Sequence, residues 1–314
     1  MCQKPLVVIV GPTAVGKTGL SVELASRING EIISADSMQI YRYMDIGTAK
    51  VTLEEQNGIR HYLIDEIMPD EEFSVAQYKE LADRYIDKIL EKEKLPVMVG
   101  GTGLYVNSVV NNVKFSETVT DWEYRNKLNA LAETEGNEYV HKMLEEVDPI
   151  TAHRLHVNDI RRVIRALEVH HFTGIPISKH QQESLKEPSP YRLAFIGLTM
   201  EREWLYERIN ERVDLMLEQG LIDEVKKLMD MGYHRDLTSM KGLGYKEMID
   251  YLEGLSSYEE AVEILKRDTR RYAKRQLTWF RRDNRIHWIH IEKSDHKKEL
   301  IEKCLKHIAE IGII

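Results

Sequence analysis

The chain has 314 residues, 42% of them hydrophobic and 31% charged, with a formal net charge of −8. That length supports a substantial core and about two domains, while the negative balance excludes a uniformly basic nucleic-acid binder and leaves room only for a local basic surface. The two cysteines, Cys2 and Cys304, stand at opposite ends without a C-x-x-C partner, so no disulfide framework or zinc cluster is readable and a reducing cytoplasm fits; no apolar run approaches the length of a membrane span, and the polar start runs straight into a strand without room for a signal peptide.

In chain order, Leu6-Val7-Val8-Ile9-Val10 reads as a buried strand, followed by GPTAVGKT, Gly11 to Thr18, and a helix from Gly16 to about Ile28. The octapeptide matches the phosphate-loop pattern G-x-x-x-x-G-K-[ST]. Its glycines let the backbone wrap an anion, the helix N-terminus offers free N–H groups, Lys17 adds a full charge and Thr18 offers a hydroxyl to magnesium. The default ligand is a nucleotide such as ATP.

A second strand, Glu31 to Ser34, leads into SADSMQIY, Ser34 to Tyr41. Ligands of open parallel sheets bind beyond the carboxyl ends of the strands, which would turn Asp36 towards the phosphate-loop ligand. On residue type alone, Asp36-Ser37 also reads as a helix cap or turn. Ser74 to Glu91 carries apolar residues at helical spacing behind Ser74 as N-cap. The strand Leu95 to Val99 ends in Gly100-Gly101-Thr102, where an ATPase or GTPase usually carries a magnesium-binding acid. No carboxylate follows it. The loop therefore suits diphosphate held as a leaving group; a small-molecule kinase and a nucleotide-regulated RNA-binding protein are the competing readings.

From about Thr120 to Ser189 the strand signal gives way to helices at Trp122 to Glu133, Glu138 to Glu145 and Asn158 to Phe172, closed by Glu187-Pro188-Ser189-Pro190. YRLAFIGLTM, Tyr191 to Met200, reads as a strand returning to the sheet, and Ile286 to Ile291 as another. The expected fold is α/β: a P-loop NTPase-like parallel sheet flanked by helices, formed by 1–116 and 191–314, with an inserted all-helical domain at 117–190.

The run KRDTRRYAKRQLTWFRR, Lys266 to Arg282, has eight basic residues and one acid. In so acidic a chain this suggests a polyanion footprint, with Arg267, Arg271, Lys274 and Arg275 on one helix and Tyr272, Trp279 and Phe280 either stacking on bases or packing inward. Arg161, Arg162 and Arg165 form a second cluster that Glu168 would neutralise in part. The twelve histidines show no ligand spacing, and Leu215, Met216 and Leu228 read as core.

Taken together, GPTAVGKT, ISADSMQIYRYMDIGTAK, HYLID, VGGTGLY, NDIRRVIRALEV and GLGYKE occur in the order found in the bacterial tRNA dimethylallyltransferases, or tRNA isopentenyltransferases, and the chain resembles that family from Leu6 to about Arg282. The eukaryotic relatives often carry a zinc finger, so the absence of paired cysteines points to the bacterial form. The resemblance implies transfer of a dimethylallyl group from dimethylallyl diphosphate to N6 of the adenosine 3′ of the anticodon, with release of diphosphate. It places Gly11, Pro12, Thr13, Ala14, Val15, Gly16, Lys17 and Thr18 on the diphosphate, with Thr18 on Mg²⁺, and Arg212 reaching the same group. Without the resemblance, Arg212 reads as a surface residue paired with Glu211 or Glu218. Asp36 is implied as general base and Thr102 as its neighbour at the reacting centre. Asp36, Ser37, Met38, Gln39 and Thr102 would contact the flipped adenine and its neighbours. Arg125, Arg161, Arg162, Arg165, Lys274 and Arg275 would contact the tRNA anticodon stem-loop. A monomer is the simplest expectation.

Overall fold

The computed structural model describes residues 3–115, 121–186 and 189–314. Six strands, β1 (Lys4–Val10), β2 (Gly30–Ala35), β3 (His61–Tyr62), β4 (Leu95–Gly100), β5 (Tyr191–Met200) and β6 (His287–Ile291), form one sheet in the order β3-β2-β4-β1-β5-β6. Every adjacent pair is parallel. The helices are α1 (Lys17–Arg27), α2 (Leu53–Gln56), α3 (Val75–Leu90), α4 (Gly103–Val110), α5 (Trp122–Thr134), α6 (Asn137–Val147), α7 (Pro149–Arg154), α8 (Ile160–Thr173), α9 (Ile177–Lys186), α10 (Arg202–Glu218), α11 (Leu221–Asp230), α12 (Tyr245–Leu252), α13 (Tyr258–Phe280) and α14 (Lys297–Glu310).

The continuous apolar run of β1 follows from its place in the sheet. Paired on both edges and covered on both faces, Leu6 through Val10 have no solvent exposure, so alternation with polar residues has no advantage there. The ladder aligns the strand ends: Ala35 of β2 pairs with Gly100 of β4, and Gly100 with Val10 of β1. Three consecutive loops, those beginning at Asp36, Gly101 and Gly11, therefore leave one edge of the sheet side by side. This register, more than any single element, positions the site.

The chain divides into two compact units, one made of 1–109 and 190–314, the other of 110–189. The second unit matches the helical segment expected at 117–190 except that it begins seven residues earlier, at the end of α4, and ends one residue earlier. Its core gathers Leu128, Val140, Leu144, Val163, Ile164 and Leu167 from α5, α6 and α8. The fully buried Glu168 ties α5 to α8: it accepts from Arg125 Nε at 2.7 Å and Nη2 at 2.9 Å, from Asp121 N at 3.1 Å, and from Arg165. Asp148, 1% exposed, caps α7 through Thr151 N at 3.0 Å and anchors α9 through Ser178 N at 2.9 Å. The first unit contains the sheet and the remaining helices. Ser74 caps α3 in a reciprocal pair with Gln77, as the sequence suggested.

Two expectations need correction. Leu215, read as core, is 50% exposed, whereas Leu228 is buried; both lie at helical apolar spacing, and only the neighbours of each helix decide which stripe is covered. The strand β3 was not anticipated, since two residues are too few to show a period. The expected closure at Glu187-Pro188 lies outside the described residues.

Candidate active site

The loop Gly11–Thr18 turns through φ +152° at Gly11, +64° at Ala14 and +99° at Gly16 before α1 begins at Lys17. Positive φ at Ala14, where no glycine relieves it, is a strained conformation that the surrounding contacts must hold. Two side chains from distant helices do so. Arg208 of α10 donates from Nε to Ala14 O at 2.9 Å, and Gln276 of α13 accepts from Thr13 N at 2.9 Å. Lys17 Nζ folds over the loop and donates to Gly11 O at 2.9 Å and Pro12 O at 2.8 Å.

Burial, reinforced by the charge of Arg212, lowers the Lys17 ammonium to about 7, with Asp36 acting in the opposite direction. Arg212 is itself lowered, first by burial, while Asp36 and Glu55 favour its charge. Lys17, Arg212 and Asp36 thus share one electrostatic environment. The sequence-only alternative for Arg212, a surface pair with Glu211 or Glu218, is absent among the described residues; Arg212 is partly buried and faces acids from other elements. Two cations crowded at a phosphate loop, their charge disfavoured by burial, form a site that gains when an anion arrives.

Asp36 leaves β2 and accepts from Met38 N at 2.9 Å through Oδ1, which fixes the carboxylate in a local turn. Thr102, at the start of α4, accepts from Ser37 N at 3.0 Å and lies 3.4 Å from Ser37 Oγ, while its own N–H donates to Ala35 O at 3.1 Å. The turn reading of Asp36-Ser37 therefore holds, and the turn fixes the direction of the carboxylate. Tyrosines surround it: Tyr78 stacks on Tyr105 at 3.9 Å, and Tyr272 lies beside Thr102 and Gln276. Burial first, and then the charge of Asp36 among others, pushes all three phenols up, so they stay neutral.

Gln39 is committed within its own loop. Its Oε1 accepts from Ser34 Oγ at 3.1 Å and its Nε2 donates to Thr48 and Ala49 carbonyls at 3.3 Å. The rest of that loop, the motif MDIGTAK, is held from outside. Glu224 of α11 accepts from the backbone N–H groups of Asp45, Ile46 and Gly47 at 2.9, 2.8 and 3.1 Å and from the Tyr245 hydroxyl at 2.7 Å. Lys50 bridges Asp45 and Asp65, both at 2.6 Å. These contacts connect MDIGTAK with HYLID and GLGYKE, segments up to about 200 residues apart in sequence.

Among the basic residues, Lys274 and Arg275 are exposed on α13, whereas Arg267 and Arg271 both pair with Asp268. Phe280 packs inward, and Trp279 is 36% exposed. In the helical unit Arg161 and Arg162 are exposed, the latter paired with Asp159, and Arg125 and Arg165 are clamped by Glu168. Sequence reading missed Arg208, Gln276 and Glu224 as contributors to the site. Each lies on a helix whose charged or amphipathic pattern is complete without it, so no local signal marked them.

A family model described as IPP transferase matches residues 39–283. The tRNA dimethylallyltransferase of Acetivibrio thermocellus is 58% identical over 308 residues, covering 98% of each chain, and that of Alkaliphilus oremlandii is 55% identical over 97% of each. The solved structure of the full-length tRNA isopentenylpyrophosphate transferase from Bacillus halodurans is similar with a TM-score of 0.73 at 49% identity, covering 99% of this chain and 98% of that one. A eukaryotic dimethylallyltransferase solved acting on tRNA matches with a TM-score of 0.83 at 29% identity, over 98% of this chain and 80% of its own. With near full-length matches of this kind on the same sheet and loops, the chain belongs to the IPP transferase family, to which the bacterial tRNA dimethylallyltransferases belong.

Proposed function

We propose that this protein transfers the dimethylallyl group of dimethylallyl diphosphate to N6 of the tRNA adenosine next to the anticodon on its 3′ side. The observation that carries the proposal is the alignment of three strand ends: a phosphate cradle with two cations, a threonine hydroxyl and a carboxylate share one sheet edge. In the reaction the N6–C1 bond forms as the C1–O bond to diphosphate breaks. The amine becomes acidic only as its lone pair is committed, and Asp36 accepts the proton then. Backbone N–H groups of Gly11–Thr18, with Lys17 and Arg212, stabilise the charge growing on the departing oxygen. Thr102, fixed by its hydrogen bond from Ser37 N, orients the reacting groups.

Among the described residues no three His, Cys, Asp or Glu side chains form a metal-ligand cluster. Magnesium held through substrate phosphates needs few protein ligands. Thr18, exposed in the first turn of α1, together with the donor's oxygens fits that pattern, and the ion would add charge neutralisation on the leaving group. The target base leaves its stack, at lower cost in a loop than in a duplex, and meets Asp36, Ser37 and Met38, with Gln39 bracing their loop. Lys274 and Arg275 contribute phosphate contacts, as do Arg125, Arg161, Arg162 and Arg165 of the helical unit.

Incubating the protein with dimethylallyl diphosphate, Mg²⁺ and unmodified tRNA, followed by nucleoside mass analysis, is expected to yield N6-dimethylallyl adenosine. Phosphoryl label transferred from ATP, with none of the prenyl group transferred, would sink the reading.

A further inference from the structure

Gln276 lies on the basic helix α13, in a run that composition would assign to RNA, yet it is only 5% exposed and faces inward. Each end of its amide holds a different catalytic loop. Oε1 accepts from Thr13 N at 2.9 Å, and Nε2 donates to Gly101 O at 3.0 Å. Tyr272, one turn earlier, lies beside the same side chain and Thr102. The bonds form a continuous chain from the phosphate loop through Gln276 and Gly101-Thr102 to Ser37, whose neighbour is Asp36. Parallel strands alone leave loop tips free to drift; this side chain spans the gap between two of them.

We infer that Gln276 is a positioning residue that sets the separation between the diphosphate cradle and the Thr102–Asp36 centre, and so controls the transfer step instead of either binding step. The inference rests on the prenyl-transfer reading above. A strand-end register fixes the loops to within the slack of a few backbone torsions, and a misplacement of about 1 Å is enough to cost about 100-fold in rate. Glycine at 101 is part of the same device. A Cβ there would stand 2.0 Å from Gln276 Nε2, so any side chain at 101 would push the amide out of the gap. Because Gln276 touches both loops through a donor at one end and an acceptor at the other, glutamine is matched to the gap in a way that no charged isostere is. Glutamate retains the acceptor for Thr13 N but turns an oxygen towards the Gly101 carbonyl unless that carboxyl is protonated.

The test compares wild type, Gln276→Glu, Gln276→Leu, Gly101→Ala and the Gly101→Ala/Gln276→Leu double variant in single-turnover prenyl transfer at saturating donor and tRNA. Active sites are counted by burst amplitude, and tRNA affinity is measured separately. Expected are a rate per active site about 100-fold lower for Gln276→Leu, with tRNA affinity within about twofold of wild type. Gly101→Ala should lose rate similarly, and the double variant should be far from additive, since both single changes break one bridge. The rate of Gln276→Glu relative to wild type should rise as pH falls from 8 to 6, because protonation restores a donor, whereas the Gln276→Leu ratio stays flat. A Gln276→Leu rate per active site within about threefold of wild type would overturn the inference, as would losses confined to burst amplitude and melting temperature. Failure of wild type itself to transfer the prenyl group would refute the activity and is read in the same experiment.

Discussion

Donor binding is expected to draw a proton onto Lys17. Burial and the adjacent Arg212 hold its ammonium at about 7, down from the ordinary 10.5, so in the free protein at pH 8 only about one lysine in ten is charged. A diphosphate placed against that amine favours the charged form and moves the pKa back up; the complex then binds about 0.9 proton more than the free protein. Affinity for the donor should accordingly fall about tenfold per pH unit above 7, about 1.4 kcal/mol each, until the pKa of the bound state is reached. The sign for folding follows from the same shift. Between about 7 and 10.5 the unfolded chain binds more protons at Lys17 than the folded one, so this residue's contribution to stability rises with pH across that window. Calorimetric titration with dimethylallyl diphosphate alone, without tRNA, in HEPES and in Tris at pH 8 measures the uptake as the difference in apparent heat. Lys17→Arg, which stays charged, should abolish both the uptake and the pH slope, and Arg212→Ala should reduce the uptake by removing the second cause of the shift. Equal heats in the two buffers, together with a donor affinity that is flat from pH 7 to 9, would refute the reasoning.

Asp36→Asn should lower the transfer rate by about 100- to 10,000-fold while leaving tRNA affinity near wild type; normal turnover would remove Asp36 as the base. Lys274→Ala with Lys274's neighbour Arg275→Ala should weaken tRNA binding and reduce the slope of log affinity against log salt by about two, read by filter binding or anisotropy. An unchanged slope would take α13 out of the footprint. Glu168→Gln should destabilise the helical unit by about 1.5–3 kcal/mol, since a buried carboxylate there accepts from Arg125, Arg165 and Asp121 N. Against burial, which would raise it, the hydrogen bonds from the two arginines hold the Glu168 carboxyl below its ordinary 4.5. That stabilisation is present above 4.5 and is lost as pH falls through the folded value, so in acid unfolding followed by circular dichroism the stability advantage of wild type over Glu168→Gln should shrink as pH falls below 4.5.

The arrangement explains how a phosphate loop can operate without an acid after β4. In this chain the position following that strand is Gly101-Thr102, and the space beside it is taken by the Gln276 amide. A hydroxyl orients without adding charge.

What the sequence determined by itself is whatever depends on local chemistry. The run Leu6 to Val10 and GPTAVGKT specify a buried strand, a tight glycine turn and a helix start within eighteen residues, and the missing acid after Leu95 to Val99 is visible in the residue order. Lys17 was legible from the loop motif itself, whereas Asp36 and Thr102, one and two residues past a strand end, were singled out by the family resemblance. Tertiary structure alone decided which groups meet. Parallel pairing of β2 with β4 and β4 with β1 sets the three loops side by side, and α10, α11 and α13 deliver Arg208, Arg212, Glu224 and Gln276 to them from more than 150 residues away. Helical periodicity cannot reveal such residues, because a glutamine or arginine on an amphipathic helix has the same local preference whether it faces water or bridges two loops. The difference lies in the surface opposite, which only the fold supplies.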